Sequence, residues 1–197
     1  MKMPRFFQEA SVSSSCLAKS IRTEAYKKTP VLSSRLCYDV ETMTTQTIYV
    51  GADHAGWELK EALEDRLKQD GYTVVDMGNQ NLVEDDDYPD FGYAVAKRVV
   101  TDTGSRGIVI CGNAQGICIV ANKVKGARAA TGFNKDVAQT SRTDDNANIL
   151  CLPGRHMDAK KAAEVVEAWL TTDFSGADRH VRRLKKVEQI ENDEFGI

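Results

Sequence analysis

Three short stretches of this sequence pair reactive side chains with a backbone setting that could use them. The first, Cys111-Gly112-Asn113-Ala114-Gln115-Gly116, follows the apolar run Gly107-Ile108-Val109-Ile110. Small residues let backbone N–H groups approach a ligand, and a helix starting there turns its positive end toward a phosphate or a developing oxyanion. The same dipole favours a thiolate at Cys111, which prepares it as base or nucleophile. The plainer alternative makes Cys111 an inert strand residue and gives Gly112 and Gly116 to tight packing. The second stretch, Asp53-His54-Ala55-Gly56, follows Ile48-Tyr49-Val50-Gly51. A carboxylate and an imidazole at a strand-to-helix turn can position or protonate a polar ligand; otherwise Asp53 caps the helix and His54 lies on the surface. The third is Arg179-His180-Val181-Arg182-Arg183. Arg179 and Arg183 are four apart, on one helical face, and can fork a phosphate. Near a helix start their charge opposes the dipole, which a bound anion would offset, although a solvated basic face is the bland reading. The loop after Cys111 matches neither GxGxxG nor the P-loop, so NAD and ATP are poorly supported.

The elements that must position these residues alternate regularly from Thr47 onward. Strands are expected at Ile48–Val50, Tyr72–Met77, Gly107–Cys111, Ala127–Phe133 and Ile149–Leu152. Between and after them, helices are expected at Trp57–Asp70, in the segment entered through Tyr88-Pro89-Asp90, around Ile117–Lys123, and at Asp136–Arg142, Asp158–Leu170 and Ala177–Ile190. In the first helix Leu59, Ala62, Leu63 and Leu67 fall on one stripe; in the fifth, Ala162, Val165, Val166 and Trp169 do. Short apolar strands alternating with amphipathic helices mean βαβ units: an α/β, single Rossmann-like doubly wound domain, its five-stranded parallel sheet covered by helices on both faces. In such sheets ligands bind beyond the carboxyl ends of the strands, where the first two stretches fall.

Composition sets outer bounds. The chain has 197 residues, 42% hydrophobic and 28% charged, enough for one domain with a substantial core. Lys+Arg number 26 against 29 Asp+Glu, a net charge of -3, which argues against broad binding to nucleic acid or anionic lipid. No apolar stretch is long enough to span a membrane. Five cysteines and three histidines form neither a disulfide framework nor a zinc pattern, so no metal and a reducing, cytoplasmic compartment are expected. Residues 1–42 stand apart as a basic, Ser-rich leader: a disordered or mis-assigned extension, or a transit peptide weakened by Glu9 and Glu24. Residues 43–197 form the domain proper.

Taken in order, the motifs resemble the ribose-5-phosphate isomerase B family, which also includes galactose-6-phosphate isomerase subunits. The resemblance is carried by Gly51-Ala52-Asp53-His54-Ala55-Gly56 with Glu58-Leu59-Lys60, then Asp87-Tyr88-Pro89-Asp90 and Gly107-Ile108-Val109-Ile110-Cys111-Gly112. It continues through Ile119-Val120-Ala121-Asn122-Lys123-Val124, Ser141-Arg142 and Arg179-His180. It implies aldose–ketose isomerisation of ribose 5-phosphate and ribulose 5-phosphate through a cis-enediolate, with no cofactor. It further implies that Cys111 is the base and that Gly112, Asn113, Ala114, Gln115 and Gly116 form the anion hole. Asp53 and His54 would hold hydroxyls or phosphate, Tyr88 would line the pocket, and Arg179 and Arg183 would clamp the phosphate. In the family these arginines and the position of Arg155 reach the partner's site, which implies a homodimer and leaves a tetramer open. A branch of the family places a glutamate base where this chain has Ile117, which leaves the role to Cys111; Cys118 is expected to face the packing side.

The chain departs from the family pattern at Asp144-Asp145, where most relatives have a His-Asn pair whose histidine opens the furanose ring. Asp144 as a carboxylic acid, His180 or His54 can take that role, Asp145 staying with the substrate-binding residues; otherwise the open-chain fraction or another sugar is used. Asn113, Ala114 and Gln115 also differ from the usual Gly-Thr-Gly or Gly-Ser-Gly, which leaves allose or galactose 6-phosphate as alternative substrates. A non-catalytic sugar-phosphate binder is a second class. A flavodoxin-like redox domain is a third, opposed by Asp53-His54 where a flavin phosphate would sit.

Overall fold

The computed structural model describes residues 45–196, so the leader read over residues 1–42 lies outside the described residues. The strands are β1 (Thr47–Ala52), β2 (Thr73–Asp76), β3 (Arg106–Cys111), β4 (Ala129–Thr131) and β5 (Ile149–Pro153). They pair in parallel in the order β2-β1-β3-β5-β4. The helices are α1 (Trp57–Gln69), α2 (Tyr88–Thr101), α3 (Gln115–Ala121), α4 (Lys135–Thr143), α5 (Ala159–Leu170) and α6 (Asp178–Glu194). No helix among the described residues is long and apolar enough to cross a membrane.

Side chains alternate across each strand, so the central strands feed two cores, one on each face. Ile48, Val50, Ile108, Ile110, Leu150 and Leu152 pack against Leu59, Leu63 and Leu67 of α1 and against Val165, Val166 and Trp169 of α5. On the other face Tyr49, Val109, Cys111, Ile149 and Cys151 meet Phe91, Val95 and Val99 of α2 and Ile117 and Ala121 of α3. Local signals set the helix ends. Asn134 and Asp158 cap α4 and α5 by accepting from the Val137 and Lys161 N–H groups. Gly71, at φ 90°, lets the chain turn from α1 into β2.

Departures from the expected elements have physical causes. The fourth strand is only Ala129–Thr131, because β4 is an edge strand paired to β5 alone. On α1, Ala62 is exposed, and the buried face takes Lys60 and Glu64 beside the three leucines. The Lys60 side chain is fully buried, and its ammonium pairs with Asp76 at the end of β2, with Glu61 and with Glu64. Burial pulls its pKa down, but the bonds from Asp76 and Glu61 outweigh this and hold it above that of ordinary lysine. Glu61, Glu64 and Asp76 converge closely enough to hold a metal ion, yet the Lys60 ammonium occupies their centre.

Breaking this arrangement leaves carboxylates without their cation at a helix–sheet junction. We expect Lys60→Ala to cost about 3 to 5 kcal/mol in urea unfolding, and Lys60→Met, which keeps the stem, to cost measurably less.

Candidate active site

The parallel register sets the site. Ala52 lies opposite Ile110 and Cys111 opposite Pro153, so β1, β3 and β5 end side by side. Backbone then meets backbone. The Gly154 N–H donates to the Cys111 carbonyl at 2.8 Å, and the Arg155 N–H to the Gly112 carbonyl at 3.1 Å. A Cβ on Gly154 would lie 2.5 Å from the Ala55 carbonyl oxygen, and one on Gly56 would lie 2.7 Å from Ile110. Only glycine permits the three strand ends to approach this closely.

Above them opens a cleft of about 530 Å³, lined by Asp53, His54 and Ala55 after β1, Tyr88 at the start of α2, and Cys111, Gly112, Asn113, Gln115 and Gly116 after β3. Arg155 and His156 after β5 complete it, so Arg155, which the resemblance directs to the partner's site, lines the cleft of its own chain, because its N–H is tied to the Gly112 carbonyl. A second groove, about 360 Å³ beside α6, has no thiol or imidazole in its lining.

Asp53 is buried, and its Oδ1 accepts from the Ala55 N–H at 3.0 Å and the Gly56 N–H at 3.2 Å. It therefore braces the turn as well as facing the cleft. Burial raises its pKa, opposed by the charge of His54 and by those two N–H bonds. His54 is fixed twice by one carboxylate: its backbone N–H donates to Asp86 Oδ1 at 2.7 Å, and its ring Nδ1 lies 2.9 Å from the same oxygen. The bond to Asp86 raises the His54 pKa above 6.5, against the opposing effect of burial. The other Asp86 oxygen accepts from Asn79 Nδ2 at 2.9 Å, and the Asn79 carbonyl accepts from Trp57 and Lys60 on α1.

Cys111 is 4% exposed, at the floor of the cleft. In the loop that follows, Asn113 Oδ1 accepts from the Gln115 N–H at 3.1 Å, which withdraws that donor from a ligand. The Ala114 and Gly116 N–H groups have no acceptor among the described residues. Ala114 does not line the cleft: its methyl is buried in the core and its backbone is left-handed, φ 67°. The hydroxyl end of the Tyr88 ring lies against Gly116, where an added Cβ would come 2.6 Å from it. Cys118 packs toward the core and lies 3.3 Å from the Ala129 carbonyl. Cys151 is fully buried, and burial pushes its thiol pKa well up.

The remaining residues expected at the site form a separate group at the end of α4 and the start of α6. His180 is 3% exposed, its Nε2 accepting from Arg179 Nε at 2.8 Å and lying 3.6 Å from Asp144 Oδ1. Thr143 donates to the same Asp144 oxygen at 2.8 Å. Asp145 and Arg183 are exposed. None of Asp144, Asp145, Arg179, His180 and Arg183 lines the cleft of its own chain. Ser141 and Arg142 are structural: Arg142 stacks on Trp169 and donates to the Ala147 and Thr172 carbonyls, and burial lowers its pKa to about 10.

Two residues escape the sequence reading. Asp86 looks like one more solvated charge in Glu84-Asp85-Asp86-Asp87, and nothing local sets it apart. His156 had a usable signal, since it follows the carboxyl end of the fifth strand, where ligands gather.

A family model described as Ribose/Galactose Isomerase matches residues 48–187. Ribose-5-phosphate isomerase B of Mycobacterium tuberculosis is 42% identical over 149 residues, covering 76% of this chain and 92% of the relative. Among solved structures, ribose-5-phosphate isomerase B of Clostridium thermocellum is 43% identical with a TM-score of 0.72, over 75% of this chain and 99% of that one. The Mycoplasma genitalium ribose-5-phosphate isomerase B with bound ribulose-5-phosphate is 37% identical, TM-score 0.72, over 75% and 97%.

The Asp86–His54 pair gives a pH signature. A histidine pKa raised on folding contributes stability that is fully present below about pH 6.5 and is lost as pH rises through the folded value. Asp86→Asn should bring the His54 titration, followed by NMR, back toward about 6.5. The stability gap between wild type and variant should be wider at about pH 6 than at about pH 9.

Proposed function

The chain belongs to the ribose/galactose isomerase family, and from that premise we propose that this cleft interconverts ribose 5-phosphate and ribulose 5-phosphate by proton transfer through a cis-enediolate. The observation that carries the assignment of roles is the place of Cys111. It is a thiol at the floor of the cleft, one residue before a loop with unpaired backbone donors. As thiolate, Cys111 takes the proton from C2 of the open-chain aldose and returns it to C1. The negative charge passes to the C1 oxygen, where N–H groups of the Gly112–Gly116 loop stabilise it as it develops; the O2 proton then crosses to O1, so that protonation at C1 leaves the C2 carbonyl and the C1 hydroxyl. Asp53 accepts hydrogen bonds from sugar hydroxyls. His54, favoured as imidazolium by Asp86, binds a hydroxyl or the phosphate, and the Tyr88 ring forms one wall.

In this reading the second group completes the cleft of another copy. Arg179 and Arg183 lie outside the cleft of their own chain, and a sugar phosphate needs a clamp for its dianion. Helix α6 also leaves Val187 and Ile190 exposed, apolar surface that a second copy would cover. The functional unit is thus a homodimer with shared sites, and a measurement of mass in solution separates dimers from paired dimers. The free Cys111, Cys118 and Cys151 fit a reducing, cytoplasmic setting. Asn113 and Gln115 reach the cleft and are the side chains that would tune the choice among sugar phosphates.

Two experiments test this. Cys111→Ala should lower kcat for ribose 5-phosphate by about 10²- to 10⁴-fold with the fold intact by circular dichroism; turnover near wild type in that variant overturns its role. Cys111→Ala and Arg183→Ala chains, each inactive alone, should recover about a quarter of wild-type activity when refolded together, since each mixed dimer holds one intact site. No recovery would show that both residues serve the same chain.

A further inference from the structure

Ribose 5-phosphate brings a step that Cys111 and the anion hole do not perform. Its 5-hydroxyl is esterified, so the sugar closes through O4 as a furanose, and no proton can move from C2 until the C1–O4 bond opens. Opening needs a group that can both take a proton from the anomeric hydroxyl and give one up near neutral pH, a task suited to imidazole.

The titratable side chains that line the cleft are Asp53, His54, Tyr88, Cys111, Arg155 and His156. Most are committed. Asp53 Oδ1 holds two backbone N–H groups, and His54 Nδ1 is engaged by Asp86. Cys111 serves the carbon-bound proton. Arg155 stays protonated and cannot act as a base. Tyr88 is laid against Gly116. His180 and Asp144, which with His54 were the residues the sequence offered for this role, are committed as well, even in a group that completes another copy's cleft: His180 Nε2 is held by Arg179 and faces Asp144 Oδ1, and that oxygen accepts from Thr143.

His156 differs from all of these. Its ring is exposed in the cleft and has no hydrogen-bond partner among the described residues. Its backbone is nonetheless held to the floor of the site. The His156 N–H donates to the Pro153 carbonyl at 3.0 Å, and the two residues before it donate to the Cys111 and Gly112 carbonyls. A fixed backbone with an uncommitted ring is the arrangement a proton carrier needs. Resting on the isomerase reading above, we propose that His156 is the catalytic residue that opens the furanose ring. Its neutral imidazole accepts the proton of the anomeric hydroxyl as the C1=O1 double bond forms. The C1–O4 bond breaks with its electron pair going to O4. O4 then takes a proton relayed from the imidazolium through one solvent water, which leaves the imidazole neutral, as it began.

Ribulose 5-phosphate has no furanose to open, because its 5-hydroxyl carries the phosphate, and this separates the two steps. Wild type, His156→Asn and Cys111→Ala should be compared as full chains in two assays: consumption of ribose 5-phosphate, and exchange of the C1 proton of ribulose 5-phosphate with D₂O, followed by NMR. We expect His156→Asn to consume ribose 5-phosphate about 10²-fold more slowly than wild type while its exchange changes by less than about threefold. Cys111→Ala should lose both. Unchanged consumption in His156→Asn overturns the assignment. So does an equal fall in both assays, which would make His156 a binding or structural residue. A folded wild type silent in both assays would overturn the isomerase reading itself.

Discussion

Every useful contact in this molecule depends on the parallel register of β1, β3 and β5. A parallel strand satisfies its N–H and C=O groups only through its neighbours, so a strand in the middle of the sheet cannot slide without breaking two ladders. Ala52 opposite Ile110 and Cys111 opposite Pro153 therefore bring three unrelated loops to one edge. The crossover from β2 to β3 passes over β1, which puts the β1/β3 boundary at a reversal of strand order, where the loops diverge and leave a crevice. Chemistry collects there because strand ends far apart in sequence must finish together.

Register alone would leave the loops floppy, and a chain of polar contacts removes that freedom. Lys60 is buried at the junction of α1 with β2 and draws in Asp76 and the Asn79 carbonyl. The Asn79 side chain holds Asp86, and Asp86 holds both the backbone and the ring of His54. A buried ammonium is a poor source of net stability, since its desolvation offsets much of its pairing. It does penalise every arrangement in which its carboxylates go elsewhere. The acidic loop before α2 is thus tied to the β1 turn through named atoms, and the orientation of an imidazole in the cleft traces back to a helix on the far side of the sheet edge.

Much of this was legible in the sequence, for reasons that differ by residue. The apolar runs ending in Gly51-Ala52-Asp53 and Cys111-Gly112 mark strands whatever packs around them, and Leu59, Leu63 and Leu67 mark a helix face. Charged residues inside that face were not legible. Lys60 and Glu64 look solvated on α1, and only the tertiary partner Asp76, sixteen residues on from Lys60, makes their burial affordable. The edge strand was read too long because Ala127 and Phe133 extend the apolar pattern at both ends, while the ladder with β5 runs only over Ala129–Thr131 and closes with the Gly132 N–H on the Cys151 carbonyl. The site followed the same division. Asp53, His54, Cys111 and the loop after it sit at strand ends and could be found by position. Asp86 could not, because its role is defined by an atom of His54, thirty-two residues away. The grouping of Asp144 with Arg179 and His180, apart from the cleft, depends on how the connection from α5 to α6 is tied through Ser175 to the Thr143 carbonyl at the end of α4, which no local pattern encodes.

Ala114 shows what the loop after β3 is built to do. Its φ of 67° is a conformation that L residues enter only at a cost of about 1 to 2 kcal/mol and that glycine enters freely. Its buried methyl returns about 0.8 kcal/mol through packing, and alanine leaves the unfolded chain less freedom to lose than glycine would, worth a further few tenths or more. The terms nearly cancel, so stability is not a reason to prefer alanine there. Rigidity is. A glycine at this point could swing through several backbone states, whereas alanine clamped by its own methyl has one. The Gln115 N–H is already taken by Asn113, so the donors left for a ligand, those of Ala114 and Gly116 among them, are aimed by a backbone held at this turn. An anion hole stabilises a transition state to the extent that its dipoles point the right way before the charge appears. Strain locked in by a buried methyl is one way to keep them pointed.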